Sequence, residues 1–352
     1  MFFYILLVLI VLALFLVSYF KPNTEKMISL SLLSVMVLIG GFRDRIGADY
    51  NNYIHWYLDG NDGLEIGFLT ITRVFKYLNL DYTFLFFFFS FFTYLFAYLG
   101  VRKYTKKSSL PLVLYFLIPV FFLYSFTYIR QFLSVTIAFY AFGFLLEKKY
   151  YHYALLMLIG ISIHYSCLIP FIFFLLIYKW GIFLKIRYLY LLMGISFIMS
   201  QIGIIRLLSF FFKDSHYLFY VSHEFAVPVP FMKLMILNIM GCIVLWYYDK
   251  YGFQFLYHKY VLVAYIFSIV IINAFSESTE LTRIYIYFRI FEILLVSEII
   301  HSALIKKKVW LIGFISCFYI LPFFRAIKID YENEIGNLKY IPYKSLLYKK
   351  DF

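Results

Sequence analysis

The sequence predicts an all-α, polytopic integral membrane protein of about twelve transmembrane helices, with interfacial helices in two longer extracytoplasmic loops. Three observations carry this. The 352 residues are 64% hydrophobic and only 14% charged, with a mean hydropathy of +0.84, whereas a soluble domain is about 45–50% apolar and about 25% charged. Apolar runs of roughly 14 to 20 residues recur along the whole chain, the length needed to cross or nearly cross a bilayer. Finally, Lys and Arg cluster in every second connecting loop, as expected of loops held on the cytoplasmic side.

Taken in order, the predicted spans are 2–20, 27–42, 82–101, 109–126, 129–146, 150–163, 166–179, 185–204, 231–248, 258–275, 282–300 and 308–325, all within a single polytopic domain over 1–352. The first opens with no basic residues and has no small-residue cleavage site, so it reads as a retained helix and not a signal peptide. The net charge of +13 reflects cytoplasmic loop cations, not a nucleic-acid partner. Those cations are Lys21/Lys26, Arg102-Lys103 with Lys106-Lys107, Lys148-Lys149, Lys179/Lys185/Arg187, Lys250/Lys259 and Lys306-Lys307-Lys308. This phase places both termini outside, along with the loops that hold Arg43, Arg130, His164, His216 and Arg283. The tail fits less well, because Arg325, Lys328, Lys339, Lys344, Lys349 and Lys350 would lie outside with it.

The first long outer loop, 43–81, contains an amphipathic segment. Leu64, Phe68, Ile71, Phe75 and Leu78 form one apolar stripe, with Thr72, Arg73 and Lys76 off it, so the helix should lie flat in the outer interface. Asp62 and Glu65 stand three apart, as in a capping box, which gives Glu65 a structural role as one of its two readings. The second long loop, 205–230, becomes polar and aromatic around Lys213 to Tyr217, Tyr220 and His223-Glu224, a composition that suits either sugar contact or a membrane interface. Cys167, Cys242 and Cys317 fall inside apolar runs and offer neither a disulfide framework nor metal spacing.

Charge in an apolar chain is expensive, so charged residues at the ends of spans draw scrutiny. The segment Gly41 to Tyr53 concentrates Arg43, Asp44, Arg45, Asp49, Tyr50 and Tyr53 around Gly47. Its spacing, G-x-R-x-x-x-G-x-D-Y-x-x-Y, resembles the first outer loop of the EpsG-like branch of Wzy-type polysaccharide repeat-unit polymerases. Glu65-Ile66-Gly67-Phe68, Ile129-Arg130-Gln131, His164-Tyr165-Ser166 and Arg283 with Tyr287-Phe288 resemble that family in the same order. The extra Arg45 departs from its pattern.

The resemblance implies a glycosyltransferase of the bacterial cytoplasmic (inner) membrane with its active site on the extracytoplasmic face. Its donor and acceptor would be undecaprenyl-diphosphate-linked oligosaccharides, with membrane lipid around it and a chain-length regulator and flippase of the same pathway as partners. On that reading Arg43, Arg130 and Arg283 stabilise the departing diphosphate, since a guanidinium fork binds two phosphate oxygens. Asp49 and His164 are the further catalytic candidates, with Glu65 and Glu280 as other possible bases. Arg45, Tyr50, Tyr53, Glu65, Gln131, His216, Glu280 and Tyr287 would contact substrate.

The plainer readings stand beside these: interfacial anchoring for Arg43 and Arg283, a structural hydrogen bond for His164, and pairing of Asp49 with Arg43 or Arg45. Arg289 and Glu292, three apart, read as an ion pair or as cavity lining. No cofactor is expected, and no metal, because the seven histidines are scattered and no Asp-x-Asp occurs. A lipid-linked glycan ligase, or a flippase for the same lipid-linked oligosaccharides, is the alternative; a transporter would more often show internal repeats, which this chain lacks.

Overall fold

The computed structural model describes residues 1–60, 63–203, 227–307, 309–332 and 338–348. Every element among them is helical, apart from one isolated antiparallel bridge between Arg43 and Ser345. They cluster into two compact units, Met1–Leu168 with Ile299–Phe352, and Ile169–Glu298.

The first unit contains α1 (Phe2–Phe20), α2 (Glu25–Gly41), α3 (Tyr50–Leu58), α4 (Ile66–Tyr77), α5 (Tyr82–Tyr104), α6 (Ser109–Leu117), α7 (Pro119–Phe122), α8 (Ile129–Leu146) and α9 (Tyr150–Ile163). The second contains most of α10 (Leu168–Trp180), then α11 (Ile186–Ile202), α12 (Phe231–Tyr251) and α13 (His258–Ala274). The chain returns to the first unit along α14 (Glu292–Ile305) and α15 (Val309–Glu332). Among the described residues six helices are long and apolar enough to cross a membrane, or seven if one bent pair counts as a span; α9, α11 and α13 are shorter apolar helices.

The bent pair corrects the fourth expected span. Residues 109–126 are not one helix but α6 and α7, turned by 82° at Ile118. The cause is Pro119, whose ring disfavours helical geometry in the residue before it, and Ile118 is accordingly extended (φ −79°, ψ 109°). The eleventh span, 282–300, is also interrupted. Thr279–Thr282, Arg283–Tyr285 and Ile286–Arg289 are short separate turns before α14 begins at Glu292.

Within the first unit α8 is the axis. In its membrane-length window 83% of residues are buried, against 28% for α1. It packs closely on α5, where Gly100 faces the Phe139 ring so tightly that a Cβ would lie 2.3 Å from it. Tyr104 stacks on the same ring and donates to the Phe139 carbonyl at 3.2 Å. At the far end Lys103 bridges to Glu147 at 2.9 Å. Glu25 accepts the Ser109 N–H and hydroxyl at 2.7 and 2.8 Å, which places a carboxylate at the N-terminus of α6, where the helix dipole favours it.

The opposite end of this unit holds the Arg43 loop, and the chain terminus closes over it. Asp44 N–H donates to the Lys344 carbonyl at 2.9 Å, Gly47 N–H to Leu338 at 2.7 Å, and Leu346 N–H back to Phe42 at 2.8 Å. Tyr4, in the first turn of α1, donates to the Tyr340 carbonyl at 3.0 Å, and Tyr343 to Ile39 at 2.8 Å. The start of α1 and the segment Leu338–Leu346 therefore both lie at the Arg43 end of the unit.

The amphipathic helix forms as α4, but its stripe faces protein. Phe68 is fully buried, and Ile71 and Phe75 pack on a core that includes Phe86, Phe89, Leu133 and Ile163. Thr72, expected off the stripe, is buried too, and its hydroxyl returns to the Leu69 carbonyl at 2.9 Å. The opposite face exposes Ile66, Val74 and Tyr77. The preceding helix, α3, was not expected from the sequence.

Candidate functional site

The first unit brings three of the predicted residues into direct contact. Asp62, the partner of Glu65 in the expected capping box, lies outside the described residues, and Glu65, at the N-cap position of α4, makes no side-chain cap bond. Its carboxylate instead accepts from the Arg130 guanidinium with one oxygen and meets His164 Nδ1 at 2.6 Å with the other. The Tyr165 N–H adds a longer contact of 3.4 Å to that second oxygen. Arg130 comes from the first turn of α8, and His164 closes the C-terminal end of α9. Three helices thus converge on one carboxylate whose side chain is only 7% exposed.

Local sequence explains the approach of α4. A Cβ on Gly67 would lie 2.6–2.8 Å from Ser162 Oγ and from the Ser162 carbonyl carbon and oxygen, closer than real contacts allow. Only glycine lets α4 rest on the end of α9, two residues before His164 and two after Glu65. Gly67→Ala should push α4 outward by several tenths of an ångström or more and weaken the Glu65 contacts. We expect a lower melting temperature and a loss of activity disproportionate to it, measured by thermal unfolding in detergent and by glycan gels.

Aromatic rings surround the guanidinium. The Arg130 cation lies 5.8, 5.1 and 5.3 Å from the ring centres of Tyr53, Trp56 and Phe68, positions that attract a cation electrostatically. Arg130 Nε is buried with no hydrogen-bond partner, a donor that a bound anion could satisfy. Tyr53, expected to contact substrate, is buried beneath the arginine. Trp56 was missed, although its i+3 spacing from Tyr53 would have placed both rings on one face of a helix.

The charge balance keeps Glu65 ionised. Burial pushes its pKa up, but the His164 hydrogen bond and the Arg130 charge outweigh it and hold the carboxyl below its ordinary value. A depressed folded-state pKa stabilises the protein above the unfolded value, and that contribution disappears as pH falls through the depressed one. The stability gap between the native protein and Glu65→Gln should therefore stay constant from neutral pH down to about pH 5 and close only below the ordinary 4.5. Melting temperatures across this range test it.

Arg43 has a different environment. It is fully buried, and its guanidinium donates to the carbonyls of Ile46 at 3.0 Å, Phe126 at 2.8 Å and Gly40. The rings of Tyr50, Phe86 and Phe126 lie 5.9, 4.9 and 5.1 Å from its centre. Arg43 is thus occupied with holding the loop, and it does not pair with Asp49. Gly47, at φ 107°, sits where a Cβ would be 2.4 Å from the Phe126 carbonyl oxygen. Tyr50 stacks on Phe86 at 4.3 Å and its hydroxyl is buried without a partner. Asp49 begins α3 and accepts from Asn52 at 3.3 Å. Arg45 is exposed in a left-handed conformation, and Gln131 is buried beside Arg130.

In the second unit, Arg283 pairs with Glu280, three residues earlier, and Tyr287 is fully buried. Arg289 and Glu292 form the ion pair their spacing suggests, at 2.6 Å and largely buried. His216 and most of the second long loop lie outside the described residues. Among those described, no three His, Cys, Asp or Glu side chains gather as a metal-ion site.

Compared with known proteins, residues 26–345, nearly the whole chain, match the family model described as the EpsG family. No curated protein and no solved structure matches the chain.

Proposed function

The chain belongs to the EpsG family, and from that premise we propose that it is a membrane glycosyltransferase that polymerises polyprenyl-diphosphate-linked oligosaccharide repeat units. The observation that carries the mechanism is the Glu65 carboxylate shared between Arg130 and His164. An ionised carboxylate only accepts hydrogen bonds, so His164 holds a proton on Nδ1, and in the neutral ring Nε2 is then an acceptor. That nitrogen can take the proton of a sugar hydroxyl as its oxygen attacks.

The reaction balances simply. The acceptor oxygen bonds to the anomeric carbon of the growing chain, the bond from that carbon to the diphosphate oxygen breaks, and the diphosphate leaves with the electron pair. Arg130 receives the new negative charge, a role its unsatisfied Nε–H supports. Arginine then does here what a divalent ion does in other transferases. Arg130, Glu65 and His164 share the Arg43 end of the first unit, while Lys103 and Lys149 bind Glu147 at the other. Basic residues at that far end support an extracytoplasmic site in the cytoplasmic membrane.

The test is a deletion strain complemented with Arg130→Ala. Removing one transition-state donor costs about 3–4 kcal/mol, so single repeat units should remain on their final acceptor where the native gene restores a ladder. Full ladders from a normally expressed variant would remove Arg130 from the mechanism. In the deletion itself, polymer accumulating on the lipid carrier would identify a ligase instead, and repeats trapped on the cytoplasmic face a flippase.

A further inference from the structure

Of the three rings around the Arg130 guanidinium, Tyr53 and Phe68 are 2% and 0% exposed, whereas Trp56 is only half-buried. The periodicity of α3 explains the difference. Tyr50, Tyr53 and Tyr57, at spacings of three and four, form its buried face. Asn52, His55 and Asp59 recur at the same spacings on the other side and are exposed, with His55 Nδ1 2.5 Å from the Asp59 carboxylate. Trp56 stands at the border of the two faces. It meets Tyr53 edge-on, with ring centres 5.1 Å apart and planes at 89°, and lies 5.1 Å from the Arg130 cation.

Packing alone does not call for tryptophan at this border. Leucine would cover Tyr53 and Phe68 as well, and among the described residues the indole N–H meets no acceptor. What the indole adds is a broad face of negative potential. A sugar ring offers the complement, weakly positive C–H groups on its faces and hydroxyls at its edge. An aromatic face flanked by exposed amide, imidazole and carboxylate groups within one helical turn suits both parts.

We propose that Trp56 is a specificity-determining residue, the stacking platform for the sugar bonded directly to the departing diphosphate. Asn52, His55 and Asp59 supply partners for that sugar's hydroxyls. The proposal rests on the reading that Arg130 holds the diphosphate. A sugar one oxygen away from that group comes within reach of a ring only 5.1 Å from the guanidinium.

The experiment measures lipid binding to the full-length protein in nanodiscs by native mass spectrometry. One probe is undecaprenyl diphosphate without sugar. The other is the lipid-linked repeat unit purified from a strain lacking this gene, which serves as donor in the first round of joining. The native protein should prefer the sugar-bearing lipid about tenfold, the scale of stacking on an aromatic ring. Trp56→Leu, which keeps apolar cover and a near-native melting temperature, should erase the preference while binding the sugar-free lipid normally. Trp56→Phe, which keeps an aromatic face, should retain most of it.

An undiminished preference in Trp56→Leu would overturn the proposal. So would equal weakening toward both lipids, which would reduce Trp56 to packing around Arg130, and so would a loss in Trp56→Phe as large as in Trp56→Leu. The underlying reading fails separately. Arg130→Ala with unchanged binding of the sugar-free lipid would remove the diphosphate from Arg130, and a ligase or flippase would show itself in the glycan gels, while the preference still scores Trp56 by itself.

Discussion

Replacing Glu65 with glutamine should abolish chain extension while leaving the protein in the membrane. The amide keeps the shape of the carboxylate and loses its charge, so Arg130 remains among Tyr53, Trp56 and Phe68 with no counter-ion. The effect on His164 is more specific. An amide that turns its NH2 toward Nδ1 makes that nitrogen an acceptor, which moves the ring proton to Nε2 and removes the base. Proton transfer by a positioned side chain is worth roughly 10²- to 10⁴-fold, so polymer should fall below detection on a gel. Breaking the pair should also lower stability, but by less than the roughly 3–5 kcal/mol of a fully buried pair, because the Arg130 and His164 side chains are 14% and 28% exposed. Glu65→Asp, which keeps the charge but shortens the reach, should recover stability more than polymer. Normal ladders from Glu65→Gln at native expression would refute the assignment.

Arg43→Ala should fail in another way. Three carbonyls in a dry interior would lose their donor, and each orphaned group costs about 1–3 kcal/mol. A total on the order of 5 kcal/mol approaches the whole stability of an ordinary domain. The protein should therefore be depleted from the membrane and melt early, with any surviving fraction still making polymer. Arg43→Lys should rescue little, because one ammonium cannot reproduce a planar fork bonded on several sides. Membrane abundance and specific activity per folded molecule separate this result from a catalytic defect. A stable but inactive Arg43→Ala would put the residue back in the chemistry.

These two arginines show what the amino-acid sequence discloses and what it hides. Both sit at the edge of an apolar run in a family-like motif, and their local patterns do not tell them apart. The difference lies in distant packing. Phe126 and the returning segment Leu338–Leu346 enclose the Arg43 loop, whereas Arg130 meets a carboxylate brought in by α4. No short-range period encodes either contact.

The helices themselves were legible, because run length and hydropathy are local. The expected bounds 2–20, 129–146 and 150–163 coincide with α1, α8 and α9. Pro119 was a visible signal for the break in 109–126, but the continuous apolarity around it favoured an unbroken reading. For Glu65, spacing from Asp62 suggested a cap, while the actual partners are 65 and 99 residues away.

The segment that laces the Arg43 loop also sets an order of assembly. Synthesis proceeds from the N-terminus, so Asp44 and Gly47 leave the ribosome long before Lys344 and Leu338, whose carbonyls they will bond. Until residues 338–344 are made, the first outer loop has to wait with those amide groups answered only by water or lipid headgroups. A nascent chain that stalls before residue 338 would insert its helices yet leave this latch open, giving proteolytic surveillance a way to tell a finished molecule from an unfinished one.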